Sequence, residues 1–391
     1  MNYILFDGPN RNALLPFTYT RPVADLRMGI FTIREKWEAY LGLTTTTITE
    51  DYLSEKFPMV EFSDNIMINA AYLPNLKLVE LIQNLGENEA VFEGEQTVAF
   101  RVSETQETID FSQFKIHRCP TSTISIKNTW DIFELNGAAI EADFQFITKG
   151  KTSEPIPESV STINSERIFI EAGAKLDHCV LNATDGPIYI GEKTEIMEGS
   201  LIRGPFALCE NSTIKMGSKI YGSTTIGPHS KVGGEVNNSV IFGYSNKAHD
   251  GFLGNSVIGE WCNLGAGTNT SNLKNNYAEV RLWDFESESF AKTGLQFCGL
   301  MMGDHSKCGI STMFNTGTVV GVFVNIFGSG FTRNYIPSFS WGGSQGFSTY
   351  LTKKAFEVAK AVFRRRGLDF TKQEARILES IFEDTKGLRT A

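Results

Sequence analysis

The sequence predicts three parts: an α/β domain over residues 1–150, a parallel β-helix over 151–348 and a pair of helices over 349–391. In the first part, short apolar runs alternate with stretches of helical spacing, which is typical of α/β layering. The second part carries an aliphatic residue at every sixth position, which predicts stacked coils. The third part contains two stretches with helical apolar stripes.

The α/β domain begins with an apolar run at 3–6, followed by β-branched or alternating runs at 44–49 and 65–69. These three runs predict strands. Helical spacing predicts helices over 21–41, 76–85 and 130–146. Glycine and proline punctuate residues 149–157, which we interpret as a linker to the next domain.

The six-residue period is unbroken over eight positions: Ile190, Ile196, Ile202, Leu208, Ile214, Ile220, Ile226 and Val232. Ser or Thr stands four places after most of them, although Val236 occupies one of these positions. After a slip, we predict that the period resumes at Val240, Phe252, Ile258 and Leu264, with Asn246 as an exception. It returns at Met302, Cys308, Phe314, Val320 and Ile326.

A period of six fits neither an α-helix nor an alternating strand. Three such units make a triangular coil in which every aliphatic residue points to the axis, and successive coils pair as parallel strands. The open end of such a prism exposes unpaired backbone groups. We expect the helices over 349–366 and 371–384, joined at Gly367, to cover that end.

The first of these helices is strongly basic, with cations at Lys353, Lys354, Lys360, Arg364, Arg365 and Arg366. Two interpretations stay open. The cations could form a solvated face near a helix C-terminus, where positive charge is favourable. Alternatively, they could form a clamp on a phosphate.

Composition excludes several classes of function. The net charge of −9 gives no basic excess to neutralise a nucleic-acid backbone. No run approaches the ~18 apolar residues of a membrane span. The opening residues lack a charged signal-peptide region. The six cysteines include no paired metal or redox motif, so we expect reduced core thiols and a soluble cytoplasmic protein.

The hexad register resembles that of the hexapeptide-repeat acyltransferases. This resemblance implies a left-handed β-helix, a homotrimer and acyl transfer from a thioester. The stretch from Lys247 through Phe252 to Thr268 is more specific. It resembles the acetyltransferase half of the bifunctional N-acetylglucosamine-1-phosphate uridylyltransferase/glucosamine-1-phosphate acetyltransferase family.

The same resemblance implies roles for individual residues. His249 matches the base that accepts the proton of the attacking amine, and Asn263 matches a residue that supports the acetyl-transfer site. The surrounding acyl-donor or acceptor site is predicted to include Lys247, Phe252, Gly265, Ala266 and Asn272. The acyl donor would be acetyl-CoA, lying along the outer groove between neighbouring prisms.

Other histidines carry weaker signals. His305 follows an aspartate on a predicted coil, so we consider it as a second base or as a structural side chain. His178 and His229 fall at outward-facing positions of the period and are predicted to lie on the surface.

The N-terminal segment resembles the opening of the sugar nucleotidyltransferases, in which a strand leads into a phosphate-binding loop. The spacing from Arg11 through Pro16 and Thr18 to Pro22 is similar to that signature. The resemblance implies a shortened nucleotidyltransferase-like domain. Two interpretations stay open: an active domain that would use UTP and Mg²⁺, for which no metal ligands are assigned, and a degenerate domain without activity. Asp7, Gly8, Arg11 and Arg21 are the predicted nucleotide and phosphate ligands.

The sequence departs from both family patterns. Val23 replaces a lysine, with Arg21 as the candidate substitute cation, and Asn69 lies where the family carries a Gly-Asp pair. Phe252 replaces a tyrosine, and Asn237-Asn238 replaces two lysines. The first hypothesis is acetylation of an amino-sugar phosphate such as glucosamine-1-phosphate, with a uridylyltransferase step toward UDP-N-acetylglucosamine left open. The alternatives are a non-catalytic nucleotide-sugar-binding scaffold and an acyltransferase for a UDP-linked amino sugar.

Overall fold

A computed structural model describes residues 2–103 and 108–389. The chain divides into two compact units. The first combines the residues up to Leu14 with Thr20–Leu26 and Phe31–Asn128, and the second combines Leu15–Tyr19, Arg27–Ile30 and the chain from Thr129 onward. Residues 129–150, which the sequence placed with the α/β domain, therefore group with the β-helix.

The first unit is built on a six-stranded mixed sheet. In spatial order its strands are Thr46–Ile48, Asn2–Phe6, Asn65–Asn69, Gln96–Val102, Glu89–Glu93 and Lys115–Arg118. Its α-helices are Ile33–Leu41, Asp51–Ser54 and Leu76–Gln83, and its 3₁₀ turns are Pro9–Leu14, Val23–Asp25 and Phe111–Gln113. The predicted strands over 3–6, 44–49 and 65–69 are confirmed.

The helix predicted over 21–41 is wrong in its first half. Only Ile33–Leu41 is α-helical, and it begins at Thr32, whose side chain forms a capping box with Glu35. Upstream, the backbone N–H groups of Gly29 and Ile30 donate to the Asn136 and Asp143 side chains. These bonds hold residues 27–30 in a non-helical segment of the second unit.

The predicted helix over 130–146 forms as Asp131–Glu134 and Asn136–Thr148. It belongs to the second unit because buried Asn136 anchors it to a coil of the β-helix. The Asn136 amide donates to the Ser223 carbonyl oxygen at 2.9 Å. Residues 149–157 contain no regular secondary structure, as predicted for a linker.

The second unit is a parallel β-helix with three faces, as the period predicted. Face A contains Ser161–Ile163, Val180–Asn182, Leu201–Arg203, Lys219–Tyr221, Glu235–Asn237 and Phe252–Gly254, followed by the separate pair Asn269–Thr270 and Met313–Phe314. Face B contains Ile168–Ile170, Ile188–Ile190, Phe206–Leu208, Thr224–Ile226, Val240–Ile241, Val257–Ile258, Leu300–Met302, Thr318–Val320 and Tyr335–Ile336. Face C contains Lys175–Leu176, Glu195–Ile196, Thr213–Ile214, Lys231–Val232, Asn246–Lys247, Asn263–Leu264, Lys307–Cys308, Asn325–Ile326 and Ser340–Gly343.

The aliphatic residues of the period line the interior of the prism in ladders, for example Ile226, Ile241, Ile258, Met302 and Val320 on face B. Burying each such side chain stabilises the fold by about 1.5–3 kcal/mol. All six cysteines are buried with free thiols, as expected.

The predicted register is wrong around the slip. Val236 points inward on face A, and Ile241 and Leu253, not Val240 and Phe252, take the inward-facing positions of the prism. Successive inward residues are four apart from Val232 to Val236 and five apart from Val236 to Ile241. The next inward positions therefore lie one residue later than predicted, so Asn246 faces outward and Lys247 faces inward.

A long excursion between faces A and B carries the hairpin Arg281–Asp284 and Ser289–Lys292. After the last coil of the β-helix, Gly346–Thr349 pairs antiparallel with Ser340–Gly343. The C-terminal helices are Thr352–Arg365, Lys372–Asp384 and the short Lys386–Arg389. No helix in the described ranges is both long and apolar enough to cross a membrane.

The first C-terminal helix lies against the side of the β-helix, not across its end as expected. Phe363 stacks on Trp261 with ring centroids 4.1 Å apart, while Phe382 of the second helix contacts Phe339 near the last coil. Aromatic residues on the side of the coils therefore fix the position of the helix.

Candidate functional site

The first candidate site lies at the carboxyl ends of three parallel strands. Asn2–Phe6 pairs with Thr46–Ile48 on one side and with Asn65–Asn69 on the other. The strand order thus reverses at the first strand, which is where α/β sheets usually bind ligands. Asp7 and Arg11 line a cavity of about 610 Å³ at this edge.

Asp7 organises the loop that follows the first strand. Its carboxylate accepts hydrogen bonds from the Val23 backbone N–H at 2.8 Å, the Thr49 hydroxyl at 2.6 Å and the Arg11 guanidinium at 3.2 Å. Burial raises the pKa of Asp7, and this effect outweighs the lowering by Thr49, Val23 and Arg11. Asp7 therefore holds the loop in place, with its lone pairs already engaged.

Arg11 is the phosphate-binding candidate that the cavity presents most directly. Its guanidinium also approaches the Glu50 carboxylate at 3.5 Å and donates to the Tyr52 hydroxyl at 3.0 Å. A phosphate would compete with the Glu50 contact, and Glu50 is half-exposed and able to move aside. Arg21 is buried in the same unit but does not line this cavity.

Gly8 and Asn69 meet at the edge of the cavity. A Cβ atom on Gly8 would lie 2.5 Å from the Asn69 amide nitrogen, so the loop passes close to the third strand only because residue 8 is glycine. The Asn69 side chain donates to the Thr97 carbonyl oxygen and accepts from the Ala71 N–H. It is therefore occupied with backbone groups.

The residues at this edge do not fit a resident magnesium ion. No group of three His, Cys, Asp or Glu side chains is placed to hold a metal in the part of the chain that the structure describes. Mg²⁺ needs near-octahedral oxygen ligands, and the Asp7 oxygens already accept three hydrogen bonds.

The second candidate site lies on the β-helix, where a lysine interrupts the aliphatic ladder of face C. Lys247 pairs in register with inward-facing Val232 and is only 2% exposed. Its ammonium group donates to the Gly233 carbonyl oxygen at 3.0 Å and to the His249 carbonyl oxygen at 2.7 Å. Loss of hydration lowers the pKa of Lys247 to about 8, despite opposing effects of Asp250 and Cys308.

His249 lies at the corner that follows face C, and its side chain is exposed. The bond from Lys247 fixes its backbone, and the adjacent Asp250 carbonyl accepts from the Gly267 N–H at 3.0 Å. Gly265, Ala266 and Gly267 follow face C on the next coil. A Cβ atom on Gly265 would lie 2.4 Å from the Gly309 backbone, so this corner requires glycine. The structure therefore places Asp250, the neighbour of His249, against Gly267, which follows the Gly265-Ala266 segment.

Asn263 occupies a different position. It pairs in register with Asn246 on face C, and its exposed side chain points outward. Asn263 and Ala248, the residue before His249, line one groove. Asn263 is thus on the coil adjacent to His249 but on the flat face, not at the corner.

Phe252 and Asn272 form a cluster beyond His249. A Cβ atom on Gly254 would lie 2.5 Å from the Phe252 ring and 2.6 Å from the Asn272 amide nitrogen, so both side chains converge on Gly254. The Asn272 amide donates to the Asn255 side-chain oxygen at 2.8 Å. This cluster combines a phenyl ring with an amide and lacks the hydroxyl that a tyrosine would supply.

His305 lies inside an aromatic column. The stacked rings are His229, Tyr244, Trp261, His305, Phe323 and Phe339, with neighbouring centroids 4.2–6.3 Å apart. His305 is 8% exposed and also faces Phe363. Its placement supports a packing role, and His229 is likewise part of the column and not a free surface residue.

Sequence reasoning missed this column, although a signal was present. Each member has a left-handed backbone conformation. Most of them immediately precede a small residue of the repeat, such as Ser230, Ser245 or Ser306. An aromatic ring or histidine repeatedly placed before the small corner residue predicts one ring per coil on the same edge.

The comparisons with known proteins identify a family and several relatives. Residues 3–152 match the sugar nucleotidyl transferase family. The bifunctional protein GlmU of Methanocaldococcus jannaschii is 30% identical over 118 residues, which cover 30% of this chain and 26% of that protein. The bifunctional sugar-1-phosphate nucleotidylyltransferase/acetyltransferase of Sulfurisphaera tokodaii is 31% identical over 144 residues, covering 36% of this chain and 35% of that protein.

The chain therefore spans only about a quarter to a third of the length of these curated relatives. Among solved structures, LpxA, a UDP-N-acetylglucosamine acyltransferase from Bacteroides fragilis, is 15% identical with a TM-score of 0.25. That match covers 60% of this chain and 84% of that one. The resemblance to the bifunctional family that the sequence predicted is confirmed at this level of similarity.

Proposed function

We propose that the chain is a transferase of amino-sugar metabolism that moves an acetyl group from acetyl-CoA to the amine of an amino-sugar phosphate of the glucosamine-1-phosphate class. The observation that carries this proposal is the similarity of one chain to bifunctional nucleotidylyltransferase/acetyltransferase relatives, together with an exposed histidine at a rigid β-helix corner. A second step, uridylyl transfer at the Asp7–Arg11 cavity, would give UDP-N-acetylglucosamine.

His249 is the proposed general base. The amine nitrogen attacks the thioester carbonyl carbon, the C–S bond breaks, and CoA leaves as a thiolate that takes up a proton. His249 accepts the proton that the amine loses, which suits an imidazole at neutral pH. The bond from Lys247 to the His249 carbonyl keeps this base in a fixed backbone position.

The remaining residues would surround the reactants. The Gly265-Ala266 segment allows close approach to the corner, and Asn263 lines the neighbouring groove. Phe252 and Asn272 would contact the acceptor sugar. His305 is not included because its ring is packed within the aromatic column. A homotrimer would place a neighbouring prism against the exposed corner.

In the N-terminal cavity, Arg11 is the proposed phosphate ligand, with Gly8 allowing close approach and Asp7 holding the loop. Arg21 is buried and does not line the cavity, so it would act on the phosphate indirectly, by its positive charge. The Asn69 side chain is bonded to the backbone, and Glu50 lies beside the Arg11 guanidinium where a phosphate would bind. Because both features differ from an open phosphate site, the second candidate is an acetyltransferase whose N-terminal unit only binds its ligand.

An end-point assay tests the proposal. Purified full-length chain is incubated with glucosamine-1-phosphate, acetyl-CoA, UTP and Mg²⁺, and free thiol and pyrophosphate are measured separately. Release of both supports two activities, and thiol alone supports the binding-only N-terminal unit.

If neither product forms, the same assay is repeated with a UDP-linked amino sugar as acceptor. Release of thiol in that case would replace the proposed acceptor. No thiol with either acceptor would contradict the proposal and favour a non-catalytic scaffold.

A further inference from the structure

A groove of about 550 Å³ lies between face C and the end of helix Thr352–Arg365. One wall is formed by outward residues of face C, and the other by residues at the end of the helix. Four cations line it: Lys231 and Lys307 from the coils, and Arg365 and Arg366 from the helix end.

Among the described residues, the lining of the groove contains cations but no acidic side chain. None of the four cations forms an ion pair within residues 2–103 and 108–389. Burial and the neighbouring charge of Arg365 lower the pKa of Arg366. Four like charges around one cavity repel one another, and a bound anion would relieve that repulsion.

The side chains are held in place but keep donors available. The Lys307 ammonium donates to the His305 carbonyl oxygen at 3.0 Å and lies at 3.4 Å from that of Trp261, which positions its charge at the floor. Arg366 reaches the Asn246 side-chain oxygen at 3.5 Å. A guanidinium carries five N–H donors, so most of those on Arg365 and Arg366 remain for a ligand.

We propose that this groove binds the diphosphate group of a phosphorylated small molecule. Paired guanidinium groups bind phosphate oxygens bidentately, and lysines add point charges. The exposed Asn263 amide and the edges of Tyr244 and Trp261 supply contacts for the organic part of the ligand. CoA and nucleotide sugars both carry a diphosphate, and this inference does not depend on which reaction the protein catalyses.

Isothermal titration calorimetry on the full-length chain, without magnesium, tests the inference with inorganic pyrophosphate, CoA and UDP. The test variant is Arg365→Gln/Arg366→Gln. The matched control is Lys360→Gln/Arg364→Gln, which removes two exposed cations of the same helix outside the groove. A further variant, Lys231→Gln, removes a cation from the opposite wall. Because Lys231 lies on face C, its loss does not alter the helix itself.

We expect pyrophosphate to bind the wild type and to bind the test variant roughly tenfold to a hundredfold more weakly, because charged hydrogen bonds are lost. Lys231→Gln should also weaken binding, and the control should not. Stronger binding of CoA than of UDP would identify an acyl-donor site, and the reverse a nucleotide-sugar site. A second site in the N-terminal unit would persist in all variants.

The inference is overturned if pyrophosphate does not bind the wild type. It is equally overturned if the control loses as much affinity as the test variant, because that result would show only a general charge effect. Both outcomes are independent of thiol release, so they leave the proposed reaction untouched.

Discussion

Lys247 gives the sharpest energetic prediction because its ammonium group lies inside the prism, where an aliphatic side chain is expected. Its folded-state pKa is about 8, below the ordinary value of 10.5. The unfolded chain therefore binds the proton more tightly than the folded chain between these two values. The contribution of Lys247 to stability must rise with pH across this window.

The size of the effect follows from the two pKa values. At pH 7 the lysine is charged in both states, and its desolvation costs about 3 kcal/mol. By about pH 10 the folded form is neutral and the cost falls below about 1 kcal/mol. Relative to Lys247→Met, which cannot titrate, the wild type should gain about 2.5 kcal/mol of unfolding free energy between these pH values.

Chemical denaturation followed by tryptophan fluorescence at a series of pH values measures this difference. Lys219→Met, an exposed lysine on face A, is the matched control and should show a constant difference from the wild type. Other groups that titrate in this range cancel because they are common to both proteins. A difference between wild type and Lys247→Met that does not change with pH would refute a charged lysine in the core.

Three further predictions concern the two units. Gly8→Ala should lower the unfolding free energy by about 1–3 kcal/mol, because its methyl group overlaps Asn69. Adding Asn69→Ala should recover part of that loss in denaturation, and no recovery would contradict the close approach. Asp7→Asn should become more stable relative to the wild type as pH rises above the ordinary aspartate pKa of 3.8 and through the raised pKa of the folded state, because ionisation of buried Asp7 is unfavourable. A pH-independent difference would contradict this. Trp261→Ala should cost about 3–5 kcal/mol and expose helix Thr352–Arg365 to limited proteolysis, because Trp261 stacks between Tyr244 and Phe363. Exposed Trp341→Ala, the control, should not.

The β-helix could be predicted because the spacing of its aliphatic residues shows which residues face inward. Eight aliphatic positions spaced six apart leave one geometry, and the structure confirms it from Ile190 to Val232. The predicted inward positions are wrong from Val236 to Phe252, because the coil there is shorter than three full repeats. An apolar residue at a corner position looks the same in sequence whether it faces inward or outward.

The α/β unit was less predictable because its elements depend on long-range partners. Residues 27–30 carry helical spacing, but they are not helical. The backbone N–H groups of Gly29 and Ile30 donate instead to Asn136 and Asp143, more than a hundred positions away. The strands Glu89–Glu93, Gln96–Val102 and Lys115–Arg118 were not predicted, although they complete half of the sheet. The capping box at Thr32 and Glu35 was the local signal for the true helix start.

For the candidate sites too, local motifs could be found in the sequence, whereas features that depend on the fold could not. Motif spacing found Asp7, Arg11 and His249, which the structure places at a sheet edge and at a corner. Spacing could not show that Lys247 faces inward, because that position depends on the shifted phase. Nor could it show that Lys231, Lys307 and the last helical arginines share one groove, since these residues come from distant coils and a separate helix.

The central claim, that His249 is the base for acetyl transfer, is tested most directly by kcat for thiol release in His249→Asn. His178→Asn is the control, since His178 is also exposed on a β-helix coil. Both are measured on the acceptor that releases thiol in the end-point assay. We expect kcat to fall roughly 10²–10⁴-fold for His249→Asn and to stay near the wild-type value for the control. A fall of less than about tenfold, or an equal fall in both, would contradict a catalytic role for His249.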